Sequence, residues 1–221
     1  MEMDFGIRTI FTIDAIGLEI TNTVVNTWII MLVLILFALW LRSRLTKVPS
    51  RLQLMGEMIV EGAHWLVDNT MGEGRRGFAP YVMTLTLYLL LGNLSGLVAL
   101  RQPTADLNTT FALALITFIL VHYHGIKAKG GFGYIKSYFE PLAFMAPLNV
   151  ISELALPVSL SFRLFGNMLG SVIIMALLYA FAPVIIPIIG HMYFDMFAGL
   201  IQTFIFVMLT ITFITLQMDP N

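Results

Sequence analysis

The chain has 221 residues, 58% of them hydrophobic and only 11% charged, against about 25% charged in an ordinary soluble domain. A soluble globule is excluded, and the near balance of 12 Lys+Arg against 13 Asp+Glu leaves no basic field to hold a nucleic-acid backbone. The absence of cysteine excludes disulfides, thiolate metal centres and a cysteine nucleophile.

Residues 1–22 carry Glu2, Asp4, Asp14 and Glu19 against Arg8 alone, without the cationic start and short apolar core of a secretory signal. This segment is expected to remain in the mature protein. The uncharged run VVNTWIIMLVLILFALWL, residues 24–41, reaches the lower range for a helix crossing a hydrocarbon core of about 30 Å and gives the first span. Residues 52–69 are ambiguous by hydropathy. On a helix, however, Glu57, Glu61, His64 and Asp68 fall on one face and Leu52, Met55, Ile59 and Leu66 lie round the other side, the pattern of a helix lying in the membrane interface. Further apolar stretches at 79–100, 107–124, 147–182 and 185–217 supply four more spans.

Counting lysines and arginines tests that arrangement independently, because short cytoplasmic loops carry the positive excess. With 52–69 lying flat, one side holds Arg42, Arg44, Lys47, Arg51, Arg75, Arg76, Lys127, Lys129 and Lys136, and the other holds Arg8 and Arg101. If 52–69 crossed, the same residues would divide almost evenly. The expected fold is therefore a single all-α integral membrane domain over 1–221, with five transmembrane helices and one interfacial amphipathic helix. The last two spans form a long, tilted hairpin. The N-terminal segment lies outside and the C-terminus in the cytoplasm.

Two weaker features carry no chemistry. Gly130, Gly131 and Gly133 in KAKGGFGY lack the strand, helix and Lys-Ser/Thr ending of a phosphate loop and read as a flexible connector. His122 and His124 point in different directions on a helix and read as interfacial residues.

Arg163 is different. It lies within LPVSLSFRLFGNMLGSVII, too deep to reach either interface, where an arginine costs about 2.5 to 3.5 kcal/mol on insertion scales and normally faces a partner or a water-filled cavity. Ser152, Ser159, Arg163 and Asn167 fall within roughly 80° of one another at helical spacing. Gly166 and Gly170 beside this stripe form a small-xxx-small pair that admits another helix. In the last span His191, Asp195 and Gln202 fall within about 40° by the same spacing. At about 1.5 Å per residue, Asp195 stands roughly 10 Å along its helix from Gln202. If Gln202 is level with Arg163, that is too far for a direct ion pair.

The segment PLNVISELALPVSLSFRLFGNMLGS, residues 147–171, followed by GLIQTFIFVMLTITF, residues 199–213, closely resembles subunit a of F-type ATP synthases. The likeness includes that family's arginine within SLSFRLFGNM and its glutamine at Gln202, and extends more loosely over the whole chain. It implies a stator subunit facing a rotating ring of c subunits, alongside a peripheral-stalk subunit b and the other ATP synthase subunits, in a bacterial plasma membrane. It implies no cofactor. Arg163 would be the essential arginine, with Gln202 beside it. Asn167, Asp195 and His191 would line an outer half-channel, and Ser152, Glu153 and Ser159 an inner one. Many proton-type members carry an acidic residue nine positions after the arginine and a histidine seven before the glutamine. Here those positions hold Val172 and Asp195, which leaves H+ and Na+ both open as the coupled ion. An intramembrane hydrolase using His191 and Asp195 lacks a Gly-x-Ser-x-Gly or His-Glu-x-x-His motif, and a secondary transporter should show two related halves.

Overall fold

In lipid every backbone amide must be satisfied internally, so long uncharged runs become helices. The computed structural model describes residues 9–13, 18–46, 50–72, 74–98, 100–139, 144, 146–181 and 185–218. Arg8 and Lys47 from the charge count, and Glu2, Asp4 and Asp14, lie outside them. A short antiparallel hairpin of β1 (Thr9–Ile13) and β2 (Leu18–Thr21) leads into α1 (Asn22–Ser43). There follow α2 (Arg51–Met71), α3 (Ala79–Leu94), α4 (Leu107–Lys129), α5 (Gly131–Ser137) and α6 (Ala146–Phe181). The chain ends in α7 (Ile185–His191), a π-helical segment (Met192–Ala198) and α8 (Gly199–Met218). Five helical stretches are long and apolar enough to cross a membrane: Asn22–Ser43, Arg76–Val98, Leu107–Lys129, Ala146–Phe181 and Ile186–Met218. Apart from the small N-terminal hairpin this is the all-α membrane architecture that the hydropathy pattern implies.

The core lies where α3, α4, α6 and α8 meet, around Leu85, Leu89, Ala114, Val121, Leu160, Leu164, Phe206, Val207 and Ile211. Because lipid is as apolar as leucine, association there rests on packing and on interhelical hydrogen bonds worth about 0.6 kcal/mol each on average. Such bonds run through the bundle. Thr117 and Thr210 hydroxyls lie 3.3 Å apart, Thr110 and Ser161 lie 3.2 Å apart, and Thr23 donates to buried Asp106 at 2.8 Å. Asp106 also caps α4 by accepting from the Asn108 amide at 3.0 Å.

Both ends of α2 sit beside the basic loops. Near its start Gln53 donates to the Thr46 carbonyl at 3.1 Å, and near its end Asp68 pairs with Arg76 at 2.9 Å. Its faces differ from the sequence expectation in one respect. The buried stripe is Gln53, Gly56, Ala63, Val67 and Met71, whereas Met55 and Ile59 are exposed and Leu66 is half-buried; the side chain of Leu52 lies outside those described. Small residues at 56 and 63 let α2 approach its neighbours closely, so the packed face falls between the acidic face and the bulky apolar one. A second correction concerns the glycine-rich segment: it is no flexible connector but the short helix α5. Gly130, at φ +74°, makes the turn that a side chain would resist. Tyr134 then buries its ring against Gly125 of α4.

Candidate functional site

Arg163 is near the midpoint of the 36-residue α6, about 25 Å from either end at 1.5 Å per residue. The helix packs its other side, with Leu160, Ser161, Leu164 and Met168 all buried. Ser152, Ser159, Arg163, Gly166 and Asn167 are exposed, and among the described residues none bonds to or pairs with the Arg163 guanidinium. A Cβ added at Gly166 or Gly170 would meet nothing within 4 Å, so no described helix of this chain uses that small-residue pair. The polar stripe, with Gly166, is presented outward by a helix that packs its Leu160, Leu164 and Met168 side in the bundle.

Gln202, 2% exposed, meets the stripe through Asn167, whose Nδ2 donates to Gln202 Oε1. The buried Gln202 Nε2 has no bonded partner among the described residues. Asn167 thus joins Gln202 at the level of Arg163 and not the group around Asp195.

Asp195 lies in the π-helical segment, a local widening that recurs at functional sites in helices. Its carboxylate is 4% exposed. Oδ2 accepts from His191 Nδ1 at 2.5 Å and Oδ1 from Gln102 Nε2 at 3.0 Å. Tyr179, near the end of α6, donates to His191 Nε2 at 2.7 Å, so a neutral imidazole carrying its proton on Nδ1 satisfies both bonds. Asp195 and His191 line a cavity of about 430 Å³ together with Gln102, Ser171, Val172 and Tyr179. Neither Asp195 nor Glu153 pairs with Arg163.

Glu153 lies at the opposite, basic end, two turns into α6. Its Oε1 accepts from Gln217 Nε2 of α8 at 2.5 Å, and its Oε2 accepts from the Tyr138 hydroxyl and faces His122 Nε2 at 3.0 Å. The Tyr134 and Tyr138 hydroxyls are 3.1 Å apart. Burial, and then the Glu153 carboxylate, push the Tyr138 phenol above the ordinary tyrosine range, so it stays a donor. His122 Nδ1 bonds to the Phe118 carbonyl at 2.9 Å. Both of its ring nitrogens therefore face oxygen atoms.

Sequence reasoning missed Gln102, Ser171 and Tyr179 around Asp195, and Tyr138, His122 and Gln217 around Glu153. Only His122 gave a signal, and its neighbour His124 diluted it: His124 instead bonds to the Leu120 carbonyl and packs on Phe78.

Fold and site together define a polytopic membrane subunit that carries an intramembrane arginine on an outward face, with separate polar clusters toward its two ends. The chain belongs to the ATP synthase A chain family, which it matches over residues 24–215. It is 39% identical over 214 residues to the sodium ion specific ATP synthase subunit a of Propionigenium modestum, covering 90% of this chain and 74% of that one. It is 41% identical over 198 residues to ATP synthase subunit a of Moorella thermoacetica (89% and 90%) and 38% identical over 213 residues to that of Desulforamulus reducens (90% and 80%). As a member of this family it is a non-catalytic membrane subunit of a multisubunit ATP synthase.

Proposed function

We propose that this chain is the stator against which a ring of c subunits turns, and that it forms two offset half-channels passing H+ or Na+ to and from the ring carboxylates. The N-terminus is outside and the C-terminus in the cytoplasm of a bacterial plasma membrane, following the charge count. The observation that carries the reading is the outward exposure of Arg163 at mid-helix. A guanidinium left facing lipid is unfavourable, so another protein with a complementary group covers it. A ring carboxylate is such a group. Beside Arg163 it is favoured in its ionised form, releases its ion and turns past. Arginine suits the task because it stays charged, and the same fixed charge repels cations and blocks a direct leak.

The outer half-channel is the cavity around Asp195 and His191, continuing to Asn167 and Gln202. The inner one follows Ser159 and Ser152 along Arg163's own face to a mouth made acidic by Glu153. The sodium specificity of the Propionigenium relative supports keeping Na+ beside H+ as the coupled ion. A subunit b of the peripheral stalk holds the chain against the ring's torque.

Cysteine crosslinking tests which face meets the ring, in a chain that has no cysteine of its own. In the assembled complex, Ser159→Cys carrying a photoactivatable thiol reagent should crosslink to c subunits, and Ile119→Cys, exposed on α4, should not. An active complex in which Ser159→Cys reaches no c subunit contradicts the reading.

A further inference from the structure

The cavity beside Asp195 contains more oxygen than the surrounding hydrogen bonds use. Gln102 comes from the connector between α3 and α4, and its amide is pinned: Nε2 donates to Asp195 Oδ1 at 3.0 Å and to the Asn93 carbonyl at 2.9 Å. Both N–H groups are occupied, yet its Oε1 is buried with no donor. Ser171 Oγ, from α6, is likewise buried and unbonded. Both residues are 4% exposed and line the same cavity as Asp195. A carboxylate offers about four acceptor positions, and His191 and Gln102 take two of them here.

An amide oxygen and a carboxylate only accept, and a buried acceptor without a partner is unfavourable. Acceptor oxygens gathered beside one cavity form the environment of a hard cation. We propose that Asp195, Gln102 Oε1 and Ser171 Oγ form a transit site for a small, partly dehydrated monovalent cation, Na+ or hydronium. The site rests on the outer half-channel reading above and adds to it a place where the ion pauses and the residues that replace its water.

Two features shape the site. Gly96 lets the backbone turn at Ser95–Val98 lie against the site: a Cβ there would be 2.8 Å from Asp195 Oδ2 and 2.5 Å from Gln102 Nε2. The oxygens are thus held in place before an ion arrives, which lowers the cost of ordering them. Arg101 also lines the cavity. A fixed positive charge nearby keeps a cation loosely bound, as conduction requires.

The test uses the complete complex in liposomes, with ATP synthesis driven by an imposed potential. Outer Na+ is varied at fixed pH, and outer pH at fixed Na+. The arm in which the wild-type rate saturates identifies the cation. Ser171→Ala and Gln102→Leu should each raise the half-saturating outer concentration of that ion by about three- to tenfold, the loss of one oxygen contact. The inner-side ion dependence of ATP-driven pumping should not move. Should Gln102→Leu fail to assemble, Ser171→Ala decides, because it removes one oxygen and adds no bulk. Unshifted outer half-saturation in Ser171→Ala, or an equal shift on both sides, overturns the site. Failure of the wild-type complex to couple synthesis to either ion would instead overturn the proposed function.

Discussion

Gly96 shows how closely the polar groups near Asp195 are fitted. A methyl group there would press on the Asp195 carboxylate and the Gln102 amide. Both are side-chain ends that can move, but only by giving up the bonds to His191, Asn93 and each other. Gly96→Ala should therefore leave the subunit assembled while costing about 1–3 kcal/mol locally, and should slow ion-driven ATP synthesis by disturbing outer access. Synthesis rates and copurification of the other subunits measure the two effects separately. A normal rate would mean that the Asp195 group can shift without consequence. The contrast with Arg163 is informative. Arg163 was legible because a charge amid apolar residues violates a strong local rule. Gln102, Ser171 and Tyr179 break no such rule, since a single amide or hydroxyl near a membrane surface is ordinary. They became recognisable only when α3, α6 and the π-helical segment were brought together.

Among the elements, spans were legible because length and lack of charge suffice for them, and the amphipathic α2 because its acids recur on one face. Which side of α2 packs was not legible, since the small residues Gly56 and Ala63 contribute close approach and not hydrophobicity. Glycines misled at α5, where one buried ring, Tyr134, anchors a helix that composition disfavours. The widening at Met192–Ala198 leaves no periodic signature in so short a stretch. Topology follows from where α2 runs. Gly77→Cys, at an exposed position with nothing within 4 Å, and Lys129→Cys should react with an impermeant thiol reagent only from the cytoplasmic face. Val98→Cys, 72% exposed, should react only from outside. Labelling of Gly77→Cys from the outside would mean that α2 crosses the membrane and would invert the halves of the chain.

Over the whole molecule, two polar clusters lie toward opposite ends of α6, one around Asp195 and one around Glu153, with Arg163 between them. Neither carboxylate is bonded to the arginine: Asp195 is held by His191 and Gln102, and Glu153 by Gln217, Tyr138 and His122. A static tie between helices would have consumed the guanidinium within the chain. Instead the charge is left available on the surface while both acids are satisfied locally. A helix of 36 residues is about 54 Å long, well beyond a hydrocarbon core of roughly 30 Å, so α6 is longer than a perpendicular crossing needs and presents its stripe along an extended track. In the proposed mechanism one charge descending 100 mV contributes about 2.3 kcal/mol, so several crossings must be accumulated by rotation for each ATP. That accumulation fails if ions can cross without turning the ring.

The most direct measurement is therefore ion-driven ATP synthesis by the assembled complex carrying Arg163→Ala, with passive ion flux through its membrane sector recorded in the same liposomes. The account predicts normal assembly, synthesis reduced to background and no recovery to the wild-type rate in Arg163→Lys, because a compact ammonium is not equivalent to the always-charged planar guanidinium. Synthesis near the wild-type rate in either variant would contradict the role assigned to Arg163.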